Sequence, residues 1–143
     1  RQVAWNVQRI GYTKKLKMKY WKFDVINLIA DYHVNENAVA TLKLQLREAK
    51  NEKKHPFVDT DRDMLNRRIQ QIECKIQEYQ MYVDMVTLGF DVLNEQERTV
   101  LEYLYIEQYS TQKTAEVMKL TGVELKRLTK QALRNFVKVV SPL

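Results

Sequence analysis

Residues 93–139 read LNEQERTVLEYLYIEQYSTQKTAEVMKLTGVELKRLTKQALRNFVKV, and this stretch decides the fold. Asn94 followed by Glu97 is a capping box, and it opens a helix predicted over 94–108 with Val100, Leu101, Leu104 and Tyr105 or Ile106 turned inward. Ser110 caps a short helix running to about Leu120, with Ala115 and Met118 inward. Thr121 and Glu124 form another capping box and open a helix to about Val139. A short helix, a turn of a few residues and a second helix make a helix-turn-helix pattern. Ala115 is small where the two helices are expected to cross, and Met118, Leu120, Leu125 and Leu128 fill the wedge between them.

The last helix separates its side chains by kind. With Leu125 at about 0° and a turn of about 100° per residue, Leu128, Ala132, Phe136 and Val139 cluster near roughly 340°. Lys126, Arg127, Lys130, Arg134 and Lys138 cluster near roughly 160–170°, nearly opposite. No acid follows Glu124. Exposed helices ordinarily mix charge signs, so a ridge of one sign points to a polyanion, with phosphate as the ligand chemistry.

Upstream, Leu65, Ile69, Ile72, Ile76, Tyr79, Val83 and Val86 keep a strict alternation of four and three, the apolar repeat of a coiled coil. Thr60 to Asp63 reads as the cap of that helix, and Gly89 as its punctuation. Before it, Val39, Leu42, Leu46 and Ala49 form the inner face of another helix, capped by Asn35 or Asn37 and stopped by the charged run to His55 and by Pro56. The short link implies an antiparallel hairpin, its seam filled within the chain or by a second copy. Leu16, Tyr20, Phe23, Ile26 and Ala30 predict a further amphipathic helix from Thr13 to Tyr32. The expected fold is therefore all-α: a helical hairpin or coiled coil with a C-terminal helix-turn-helix. The expected divisions are a basic N-terminal segment at 1–33, the hairpin at 34–89 and the reader at 90–143.

Composition agrees. Three glycines and two prolines in 143 residues are too few for the turns of an all-β fold. The net charge of +6 is unevenly spread, since residues 1–23 hold seven bases and no acid. His33, His55 and the lone Cys74 have no metal-ligand spacing, and there is neither a glycine-rich phosphate loop nor a Gly-x-Ser-x-Gly turn. Asp59, Asp61 and Asp63 suit a helix N-terminus better than acid–base chemistry. An enzyme, a cofactor and a bound metal are not expected. Cys74, next to the seam, is expected to be buried as a small apolar side chain. No apolar run is long enough to span a membrane, and none follows the basic start as a secretory signal would require. The sequence begins at Arg1 rather than Met, so upstream residues are expected.

Leu93 to Phe136 resembles region 4 of bacterial sigma factors and the related helix-turn-helix of phage late-gene regulators. The resemblance rests on Leu93-Asn-Glu-Gln-Glu-Arg-Thr-Val-Leu101, Tyr103 to Glu107, Ser110, Ala115-Glu116, Met118, Thr121, Leu125, Leu128 and Ala132-Leu133. The order of basic segment, hairpin and reader is similar to small phage activators of the ArpU/RinA type. Two positions depart from the family pattern. Thr114 replaces a usual isoleucine, and Lys119 a usual turn glycine, with Gly122 as the candidate for a shifted turn. The resemblance implies a transcriptional regulator of phage or prophage genes in the cytoplasm of a bacterial host, working on double-stranded promoter DNA. RNA polymerase is a candidate partner, and a homodimer is expected. It places Thr121, Gly122, Val123, Lys126 and Arg127 at the groove-facing start of the recognition helix. Arg127 would read guanine, Lys126 and Lys130 would assist, and Val123 would meet a thymine methyl. Arg134 and Lys138 continue the phosphate ridge. Lys14, Lys15, Lys17, Lys19 and Lys22 are candidate phosphate contacts, interleaved with Trp5, Tyr12, Tyr20 and Trp21. The competing readings are an adaptor that docks on a protein without reading DNA, and a small-terminase-like packaging subunit.

Overall fold

The computed structural model describes residues 24–55 and 61–140. The readings placed on Leu16, Tyr20, Phe23, Pro56, Thr60 and the N-terminal lysines lie outside those residues. The elements are α1 (Tyr32–Lys54), α2 (Arg62–Asp91), α3 (Glu95–Leu101), a π-helical turn (Glu102–Ile106), α4 (Thr111–Met118) and α5 (Gly122–Val140). Residues 24–30 are also helical, and no strand occurs among the described residues. The fold is all-α, a helical hairpin with a C-terminal helix-turn-helix, as the periodicity predicts. The chain divides into two compact units, Val34–Val83 and the remainder.

The first unit is the hairpin. Ala49, Leu65 and Ile72 are buried at its centre, with Leu42, Leu46, Ile69 and Ile76 packed around them. Leu65, Ile69, Ile72 and Ile76 of the seam thus pack against α1 within one chain. Lys50 and Glu73 pair at 3.7 Å with both side chains about half exposed, which contributes little to stability. Asp61 caps α2, its Oδ1 accepting from the backbone N–H of Asp63 and Met64. Cys74 is exposed, contrary to the expectation of burial. It lies about 200° round the helix from Ile72, on the face away from the seam. Asn35 and Asn37 are not caps. The helix already runs from Tyr32, after a break at Asp31 whose N–H still bonds the Asn27 carbonyl, and Asn35 is buried within it.

The second unit carries the reader. Its core includes Val25, Ile29, Val86, Val100, Leu101 and Phe136. Ile26 and Ala30, expected inward, are only half-buried, so the buried face of 24–30 is turned one residue back onto Val25 and Ile29. Gly89 does not end α2, which continues to Asp91. It is a point of close approach: a methyl group there would run into the ring of Phe136 on α5. Phe90 meets the same ring edge-on, with centroids 5.9 Å apart. The end of α2 is closed by Arg98, whose guanidinium donates to the carbonyls of Phe90 and Leu93 at 3.2 Å.

Candidate nucleic-acid interface

Two capping boxes set the helices of the reader. Asn94 accepts from the Glu97 N–H at 2.8 Å, and the Glu97 carboxylate accepts from the Asn94 N–H at 3.1 Å. Thr121 and Glu124 do the same for α5, at 3.1 and 2.9 Å. Backbone donation by Thr121 and the bond to its side chain hold the exposed Glu124 carboxyl below its ordinary pKa, with Arg127 adding a smaller pull. One lone pair of the Thr121 hydroxyl is therefore committed inside the helix cap. Ser110 caps α4 through the Lys113 N–H.

The predicted helix 94–108 is interrupted. After Leu101 the backbone widens into a π turn, with the Glu107 N–H reaching the Glu102 carbonyl at 2.8 Å. The extra residue per turn brings Tyr103 and Tyr109 into a stack at 5.2 Å, with the Lys113 ammonium 3.9 Å from the Tyr109 ring centre. Thr114, not Ala115, is the fully buried residue of α4, and its hydroxyl donates to the Ser110 carbonyl at 2.9 Å. Ala115 and Met118 are half-buried. The turn into α5 is made by Lys119 itself, at φ 57° and ψ 46°. Gly122 has no positive φ and begins α5, so the turn is not shifted onto it.

On α5 the buried residues are Leu125, Ala132, Leu133, Phe136 and Val140, while Leu128 and Val139 are half-buried. That rotates the core face to roughly 30°, counted from Leu125, leaving about 140° between it and the cationic ridge. Thr121, Val123, Lys126, Arg127, Lys130, Arg134 and Lys138 are all exposed, and the apolar Val123 side chain is open to solvent at 70%. Lys126 and Lys130 also edge an apolar groove walled by Leu104, Tyr105, Leu120 and Leu133.

The feature that sequence reading missed is the tie behind α5. Glu97 is 3% exposed, and its Oε2 accepts from Gln131 Nε2 and Asn135 Nδ2, each at 2.8 Å. Burial raises the pKa of this carboxyl, but the bonds from Asn94, Gln131 and Asn135 outweigh it and hold the value below the ordinary one. Two amides one turn apart, between the basic and apolar stripes, were the available signal.

Capped helices at this spacing, with the second helix presenting an open cationic face, make a helix-turn-helix. The family model for sigma-70 region 4 matches residues 89–136, so this part of the chain is similar to that helix-turn-helix region. Comparison with curated proteins and with solved structures gives no match. Among the described residues no cluster of three or more His, Cys, Asp or Glu is placed to hold a metal, and no helix is long and apolar enough to cross a membrane.

Proposed function

We propose that this protein is a transcriptional regulator of phage or prophage genes that lays α5 along promoter DNA. The observation that carries the reading is the exposed ridge of Lys126, Arg127, Lys130, Arg134 and Lys138, opposite a buried face on the same helix. Arg127 reads a guanine edge, Lys126 and Lys130 support it, and Thr121 and Val123 meet the groove at the helix start. Arg134 and Lys138 neutralise phosphates further along. Lys14, Lys15, Lys17, Lys19 and Lys22 add phosphate contacts from the N-terminal segment. One such module reads few bases, so the protein works as a homodimer or beside RNA polymerase.

A second reading is supported by a specific observation. Gly122 and Val123 give the helix start no hydrogen-bonding side chain, and an apolar groove runs beside Lys126 and Lys130. An adaptor would use that groove on a protein surface and leave DNA unread. Binding of the parent chain and of a Lys126/Lys130/Arg134→Ala variant to the DNA upstream of the protein's own gene separates the two. The regulator binds through those cations, whereas the adaptor shows no binding, or binding that the variant leaves unchanged.

A further inference from the structure

The unit that carries the cationic ridge also carries a groove of the opposite sign. The groove holds about 640 Å³ and is walled by Tyr32, Phe90, Tyr103 and Tyr109. Among the described residues, Asp91, Glu102 and Glu107 also line it, against one guanidinium, that of Arg98, with His33 beside them. The Arg98 Nε and Nη2 groups already donate to the carbonyls of Phe90 and Leu93, so that side chain is held in place as part of the wall. Carboxylates repel a duplex, so the occupant is not DNA. Carboxylates set among tyrosine rings suit an ammonium group, which gains ion pairing from the rim and cation–π attraction from the rings. The same tyrosine stack already does this on its Tyr109 side, where Lys113 lies over the ring.

The chain holds a matching ligand. Residues 9–22 carry Arg9, Lys14, Lys15, Lys17, Lys19 and Lys22 without an acid. They precede the helix at 24–30, whose Val25 and Ile29 are buried in this unit, and Tyr32 of the groove wall follows directly. Attachment so close to the groove gives the segment an effective concentration in the millimolar range, on the order of that for short linkers. We propose that the groove is the docking site of the chain's own basic segment, lysine ammonium groups lying between Asp91, Glu102 and Glu107 and against the tyrosine rings. Because those lysines are also the candidate phosphate contacts, groove and duplex compete for them, and the segment is released to DNA only when phosphate displaces the carboxylates.

Limited trypsin digestion of the full chain without DNA, with cleavage after Lys14 to Lys22 followed by mass spectrometry, tests this independently of the regulator reading. At low salt the parent is cut there more slowly, by about fivefold, than an Asp91→Asn/Glu102→Gln/Glu107→Gln variant, and high salt abolishes the difference. Equal rates in parent and variant at low salt overturn the proposal, as does protection that grows with protein concentration, which assigns the segment to a second copy. The isosteric amides keep the shape of the groove, and matching thermal melts of the two proteins confirm that the fold is common. A Lys14/Lys15/Lys17→Gln chain carrying a fluorophore near residue 12 supplies a second readout. Its anisotropy at low salt falls below that of the equally labelled parent if those lysines dock, and an anisotropy equal to or above the parent's overturns the proposal.

Discussion

Lys119 occupies a left-handed conformation that costs a side chain with a Cβ roughly 1–2 kcal/mol and costs glycine almost nothing. Lys119→Gly is therefore expected to raise stability by about 0.5–1 kcal/mol in urea melts, since the greater freedom of glycine in the unfolded chain offsets part of the relief. Glu97 gives a prediction of the opposite sign. Its folded pKa is depressed, so its stabilising effect is complete above the unfolded value of about 4.3 and is lost as pH falls through the folded value. Glu97→Gln is expected to melt earlier near neutral pH, by roughly 1.5–3 kcal/mol, and the gap to the parent to narrow below about pH 4.3. A gap that stays constant with pH contradicts the role given to the carboxylate. The local half of each site was legible in sequence. Asn94 and Glu97, or Thr121 and Glu124, are three residues apart, and a cap is decided within one turn. The bonds from Glu97 to Gln131 and Asn135 join residues more than thirty positions apart, which no local spacing encodes.

At the scale of elements, α5 is held to α2 by a close approach that tolerates no side chain at Gly89. Alanine is the better helix former, so at an open site Gly89→Ala would stabilise α2 by up to about 1 kcal/mol. Here the methyl group meets the Phe136 ring, and the expected result is a destabilisation of about 1–3 kcal/mol, read from the same melts. The heptads of α2 were legible because the apolar repeat is periodic within one helix. The beginning of α1, the inner face of 24–30 and the role of Gly89 were not. Each depends on what packs alongside: Val25 and Ile29 outrank Ile26 and Ala30 only once their neighbours in the unit are in place. The π turn was hidden for a related reason, since Glu102 to Ile106 carries ordinary helix-forming residues and its widening shows only in the folded backbone, where the Glu107 N–H reaches the Glu102 carbonyl.

At the scale of the whole molecule, the proposed function rests on charge placed on the capped helices of the reader. Caps at Asn94, Ser110 and Thr121 fix the helices, Leu125, Ala132, Leu133 and Phe136 fix the rotation of α5, and that rotation turns five cations outward. The ridge was legible from residue type and angle alone, although burial of Leu133 and Val140 moved the core face toward it and left Lys126 beside the apolar groove. The most direct test of the central claim is the salt dependence of binding to the upstream DNA. The Lys126/Lys130/Arg134→Ala variant is expected to bind more weakly, and its slope of log affinity against log salt to be shallower than the parent's by about 0.9 for each phosphate that is no longer neutralised. A variant slope equal to the parent's, or a parent that does not bind, contradicts the claim that α5 lies along a duplex.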